Sequence, residues 1–228
     1  MGTSLDELHQ QLIAQAIRFA ESGATPVTPR LAATVLLLRP AASGFEVYLL
    51  RRRSSMAFAS GMYVFPGGSV DSADYAGALA GDWAVRLGQP EETAAAVVRA
   101  AVREVAEETG VRVSPAELRP WGRWITPEFE PRRYDTYFFV AALPEGAAAD
   151  NVSTEADRAE WLTPAEALAR VESGEILMLP PTVLTLEEVG AFDRVEAVLA
   201  AADSRDAAAP VLPRLRRNPD GSAELAYD

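Results

Sequence analysis

The chain has 228 residues, with 21 Lys+Arg against 33 Asp+Glu for a formal net charge of −12, and it is 49% hydrophobic. That length and balance describe one decorated globular domain with a substantial core, and the excess of acid disfavours a face that tracks long nucleic acid. With no Cys and one histidine, His9, the chain excludes disulfides, thiolate metal sites and a zinc centre built on two or three histidines, so hydrolytic chemistry would have to lean on carboxylates.

Residues 1–23 open with a Ser4–Glu7 capping box, and Leu5, Leu8, Leu12, Ile13, Ala16 and Ile17 fall at helical spacing. They are expected to form an N-terminal packing or homodimerisation helix with His9 on its surface. The segment is too polar for a signal peptide, and no apolar run approaches the roughly 20 residues of a membrane span, so a cytoplasmic protein without a membrane partner is expected. Residues 24–30 read as a linker. Strands are expected over 31–38 and 45–50, joined by the Pro40–Gly44 turn, and over 62–65, stopped by Pro66-Gly67-Gly68 as a sharp turn. Residues 71–90 form a mixed excursion with one or two short helices. A long Ala-rich helix follows over 91–109, with Gly110 as its C′ residue. Strands are expected again over 121–125, 134–140 and 159–162, then helices over 165–172, 181–188 and 193–202, and a hairpin or extended tail after 211 that includes the turn 219–221. Helices and strands alternate, so the fold class is α/β with a mixed sheet.

Chemistry is concentrated in Arg103-Glu104-Val105-Ala106-Glu107-Glu108-Thr109-Gly110-Val111. At 100° per residue, Glu104, Glu107 and Glu108 fan over one helix face. A solvated acidic face explains such a pattern too. Yet these carboxylates crowd the last turns of the helix, where the macrodipole disfavours negative charge by about 0.3–1 kcal/mol each. Self-repelling oxygen ligands in that position suit a hard divalent cation.

With the Phe65-Pro66-Gly67-Gly68 loop upstream, this run resembles the Nudix hydrolases, whose box is a glycine, then a glutamate, then R-E-U-x-E-E-x-G-U with U apolar. Arg103 lies 35 positions after Gly68, 21 more than the 14 of the ordinary box, and the upstream glutamate, counted back from Arg103, falls on Ala95. This split box resembles the subgroup that includes the peroxisomal coenzyme A diphosphatases of animals. So do the segments at 45–53, 56–58, 63–71, 132–139, 161–164 and 179–182, and the likeness covers roughly residues 31–186. The coenzyme A signature upstream of the loop keeps only Leu49, Arg52, Gly61 and the Phe-Pro-Gly-Gly run; its histidine and second arginine fall on Ala59 and Ala57.

The resemblance implies a Nudix α/β/α sandwich over 31–228, with 71–90 inserted in the box and 179–228 as a C-terminal helical extension. It implies a diphosphatase using Mg²⁺ or Mn²⁺ on a small nucleoside diphosphate derivative, with coenzyme A, acyl-CoA, ADP-ribose and nucleotide sugars as the competing substrates. Glu104, Glu107, Glu108 and the Gly68 carbonyl would hold the metal, and Arg103 would orient a neighbouring glutamate. Glu155, in a loop after the later strands, is a candidate general base beside the option that a box glutamate acts directly. Arg52, Arg132 and Arg133 are candidates to grip phosphate, since a guanidinium fork matches phosphate oxygens. Tyr134, Phe138, Phe139 and Trp161 read as core. Three other readings compete: a nucleotide-sensing Nudix-fold module without turnover, an acidic docking face for a basic partner, and a metal-free carboxylate glycosidase.

Overall fold

The computed structural model describes residues 5–55, 59–218 and 222–227, with 5–9 as backbone alone. The side chain of His9, the 56–58 part of the family-like segments and the 219–221 turn lie outside the described residues. The chain runs α1 (Leu5–Ser22), β1 (Arg30–Pro40), β2 (Phe45–Arg52), β3 (Tyr63–Val64), β4 (Gly67–Ser69), a 3-10 turn over Ser72–Tyr75, α2 (Trp83–Leu87) and α3 (Glu91–Thr109). There follow a second 3-10 turn over Pro115–Glu117, β5 (Arg119–Ile125), β6 (Tyr134–Ala142), β7 (Ala156–Leu162), α4 (Pro164–Glu172), α5 (Pro180–Val189) and α6 (Val195–Ala202). Strands β8 (Pro210–Val211), β9 (Arg214–Arg217) and β10 (Ala223–Ala226) complete the chain.

Strand β1 organises the sheet. Its far end pairs antiparallel with β2, its near end pairs antiparallel with β4, and its other edge runs parallel to β6 from Arg30 opposite Tyr134 to Leu38 opposite Ala142. A strand bordered on both edges and covered on both faces should be continuously apolar. Residues 32–38 accordingly are all buried. Beyond them, β3 and β7 pair with β2, and β5 pairs with β6 and β8.

One face of the sheet packs on α2 and α3, whose Ala94, Val97, Val98, Ala101 and Val105 lie against Val35, Leu37, Tyr137 and Phe139. The run of alanines brings the helix backbone close to the strands. The other face packs on α4, α5 and α6 through Leu186, Val189, Val195 and Val198 against Leu36, Leu38, Trp121 and Val140. The result is an α/β/α sandwich with a mixed sheet. A third, smaller cluster joins Ile13 and Ala16 of α1, Phe129 of the β5–β6 loop and Leu225 of the β9–β10 hairpin.

Candidate active site

Pro66-Gly67-Gly68 is more ordered than a turn. After Pro66, residues 67–69 form β4 against β1, with Ala33 opposite Gly68 and Thr34 opposite Gly67. The Val35 amide donates to the Pro66 carbonyl at 2.8 Å, as does the Thr34 hydroxyl at 2.8 Å. Both glycines are required by close approach: a Cβ on Gly67 would lie 2.6 Å from Thr34 Cα, and one on Gly68 would collide with the Glu104 carboxylate. The segment expected to bend the chain instead delivers its backbone to the end of α3.

The three glutamates of α3 occupy three environments. Glu108 is buried at 7% exposure, and its Oε2 accepts the Gly67 amide at 2.8 Å. Burial pushes its carboxyl up to about 7, helped by the charges of Glu104 and Glu155 and opposed by the Gly67 N–H and Arg52. Burial also raises the carboxyl of Glu104, against the Arg103 ion pair. Glu107 is mostly exposed, with its carboxylate 3.2 Å from Arg103. Among the described residues, no three carboxylates are drawn together as a finished metal cluster. The donor set nevertheless fits a hard cation. It is all oxygen, it sets half-buried Glu104 against buried Glu108 with like charge, and it abuts a backbone stripped of side chains.

Arg103 sits at the hub. It donates to Glu104 Oε1 at 2.8 Å and Glu107 Oε2 at 3.2 Å through one terminal nitrogen, and to the Ser69 carbonyl at 3.0 Å through the other. On its far side Asp74 accepts from Nε at 3.2 Å and from Nη2 at 2.9 Å. Asp74, 4% exposed, is a residue sequence reasoning missed. It belongs to the excursion 71–90, which Arg99 also anchors by donating to the carbonyls of Asp74, Gly77 and Ala78 at 3.0, 2.7 and 3.0 Å. The signal was present: Ala95 is eight positions before Arg103, which in a fourteen-position box is six after the glycine, and six after Gly68 stands Asp74. Ala95 itself is buried in α3.

The loop after β6 caps the end of α3, with the Asp150 amide donating to the Thr109 carbonyl at 3.0 Å and Val152 to Glu108 at 3.3 Å. That loop ends at Glu155, whose carbonyl accepts the Arg53 amide at 2.8 Å and whose carboxylate pairs with Arg52 at 3.7 Å. Arg52, Gly68, Glu104 and Glu155 thus line one cleft of about 650 Å³. The other expected phosphate ligands stand elsewhere. Arg133 is buried, donating to the carbonyls of Thr126 at 3.0 Å and Val27 at 2.8 Å, because it ties the linker to the β5–β6 loop. Arg132 is exposed beside it and does not line the cleft.

The aromatic residues divide as well. Phe139 is fully buried, and Trp161 packs edge-on to Tyr48 at 5.0 Å beneath the Arg39 guanidinium at 4.3 Å. Tyr134, read as core, lines the cleft with Phe138 and with Trp124, Glu130 and Tyr227, which the sequence reading passed over.

Comparison with known proteins bears on the family and the fold. The model of the NUDIX domain matches residues 28–180. A Caenorhabditis elegans protein described as putative nudix hydrolase 7 is 24% identical over 163 residues, 62% of this chain and 54% of that one. The Xenopus laevis acyl-coenzyme A diphosphatase NUDT19 is 33% identical over 79 residues, 33% of this chain and 21% of that one. The chain therefore spans about half of one curated relative and a fifth of the other. The crystal structure of a NUDIX hydrolase from Alicyclobacillus acidocaldarius superposes with a TM-score of 0.64 at 25% identity, covering 76% of this chain and 96% of that one.

Proposed function

The chain belongs to the Nudix family of hydrolases, and from that premise we propose that it cleaves the pyrophosphate bond of a small nucleoside diphosphate derivative. One observation carries the reading: half-buried Glu104, the bare backbone of Gly67 and Gly68, and the Arg52–Glu155 pair line a single cleft, and buried Glu108 accepts the Gly67 amide of that same backbone. Glu104, Glu107, Glu108 and the Gly68 carbonyl would hold Mg²⁺ or Mn²⁺. When bound, such a cation lowers the pKa of a water and neutralises phosphate charge.

The protein's own groups do the rest. Arg103, locked by Asp74, keeps Glu104 and Glu107 in orientation. Arg52 presents its guanidinium to phosphate oxygens, and its pairing with Glu155 keeps that carboxylate beside the same oxygens. Glu155 is proposed as general base because its loop brings a half-exposed carboxylate to the cleft.

Coenzyme A or acyl-CoA is the substrate suggested by the likeness to the Xenopus laevis enzyme, and ADP-ribose or a nucleotide sugar is the alternative. No helix among the described residues is long and apolar enough to cross a membrane. Action in the cytoplasm is proposed, as is a homodimer, formed through whatever surface of α1 remains once Ile13 and Ala16 are packed within the chain.

The test is a panel of coenzyme A, acyl-CoA, ADP-ribose, NADH and dinucleoside polyphosphates with Mg²⁺ or Mn²⁺, products being read by mass. Cleavage between two phosphorus atoms in any of them supports the proposal. Nucleotide binding with no turnover across the panel would point to a sensing module instead.

A further inference from the structure

Away from the acids of α3, the cleft changes character. Its wall there is made by Trp124 on β5, Tyr134 at the start of β6, and Tyr227 just after β10, with Trp124 and Tyr227 edge-to-face at 6.1 Å. Flat aromatic surfaces of this kind suit a planar ring. One carboxylate interrupts them: Glu130, on the β5–β6 loop.

Glu130 is held in place. Its amide donates to the Pro127 carbonyl at 3.2 Å, and neighbouring Phe129 is anchored in the cluster of Ile13, Ala16 and Leu225 while its carbonyl accepts from Gln15 Nε2 at 3.2 Å. Burial alone raises the Glu130 carboxyl, with no contribution from the charges around Glu104, which sets it apart from the metal end. Arg52 is the only basic residue among the described residues lining the cleft, and it is engaged with Glu155. A half-buried acceptor among aromatic faces, with no basic residue but Arg52 among the described residues lining its cleft, matches a planar ligand that brings its own N–H donor.

We propose that Glu130, with Trp124, Tyr134 and Tyr227, forms a subsite for a purine base bearing an exocyclic amine, and that Glu130 accepts a hydrogen bond from that amine. The subsite rests on the reading of the cleft as a nucleotide site, and it assigns α1 and the terminal hairpin a role as supports for specificity. Nothing in it depends on whether the rest of the substrate is coenzyme A or ADP-ribose, since both carry adenine.

The test uses calorimetric binding of ADP and of purine-riboside 5′-diphosphate, which lacks the amine, with Mg²⁺ present and the full chain. Wild type should bind ADP about tenfold or more tightly, because losing the amine leaves a desolvated carboxylate without its partner. In Glu130→Leu that difference should vanish. Glu130→Gln, which keeps an acceptor oxygen, should retain part of it, and thermal melting verifies that both variants fold. No measurable ADP binding, equal binding of the two ligands, or a discrimination unchanged in Glu130→Leu would overturn the subsite. Discrimination without hydrolysis of any panel member would sink the hydrolytic reading and leave the subsite standing, whereas hydrolysis without discrimination would do the reverse.

Discussion

Asp74 is joined to Arg103 by two hydrogen bonds, and Arg103 in turn fixes Glu104 and Glu107. Asp74→Asn retains the size of the side chain but loses the charge and one of the two acceptors. It should lower kcat about 10–100-fold and raise the Mg²⁺ concentration needed for half-maximal rate, the range typical of partners that orient metal ligands. Steady-state kinetics over a Mg²⁺ series check this; an unchanged Mg²⁺ dependence would reduce Asp74 to a fold element. Gly68→Ala places a methyl group against the Glu104 carboxylate. Activity should fall by a similar factor with a smaller change in melting temperature, because the clash is with a site side chain rather than with the core. The R-E-x-x-E-E run was readable because its chemistry lies within one helical turn. Asp74 was hidden because the excursion separates it from Arg103 by 29 positions. Arg133 misled because a guanidinium fork satisfies three-dimensional carbonyl clusters as readily as phosphate, and sequence does not tell which one it meets.

At the scale of elements, strands β1 and β6 and helix α3 were legible because each carries a long, unambiguous pattern: continuous apolar runs for buried strands, small apolar residues with a C′ glycine for the helix. What α1 packs against was not. Its periodicity announced an apolar stripe, but the partners Phe129 and Leu225 are more than a hundred residues away, and a stripe alone does not distinguish a neighbour in the same chain from a second copy. Ile13→Ala should cost roughly 2 kcal/mol, the low end for a buried Ile→Ala, since this cluster is small and its site collapses readily. Because Leu12 lines the cleft, the same substitution should raise KM more than it lowers kcat. Urea denaturation with paired kinetics reads both; a stability loss with KM untouched would detach α1 from the cleft.

For the whole molecule, stability at high pH follows from three buried phenols, of which Tyr48 is pushed up to about 12 mainly by burial. Burial, with the hydrogen bond to Glu160, pushes the Tyr63 hydroxyl up from 10.0 to about 12, and burial pushes that of Tyr137 up likewise, against Arg123 and the Gln89 donor at 2.8 Å. A folded-state pKa above the unfolded one means the native state retains the proton longer. The stability these groups lend is complete below pH 10 and is lost as pH rises toward 12. Circular dichroism and tyrosinate absorbance should therefore change together in that window; ionisation of all six tyrosines near pH 10 before any unfolding would contradict it. The reading as a whole turns on divalent cations being held at Glu104 and Glu108 beside Gly68. Paramagnetic resonance of Mn²⁺ titrated into wild type and into Glu108→Gln measures this directly. The expected result is saturable binding by wild type that weakens by about two orders of magnitude in the variant, in parallel with its loss of turnover. Equal Mn²⁺ binding by the two proteins would contradict it.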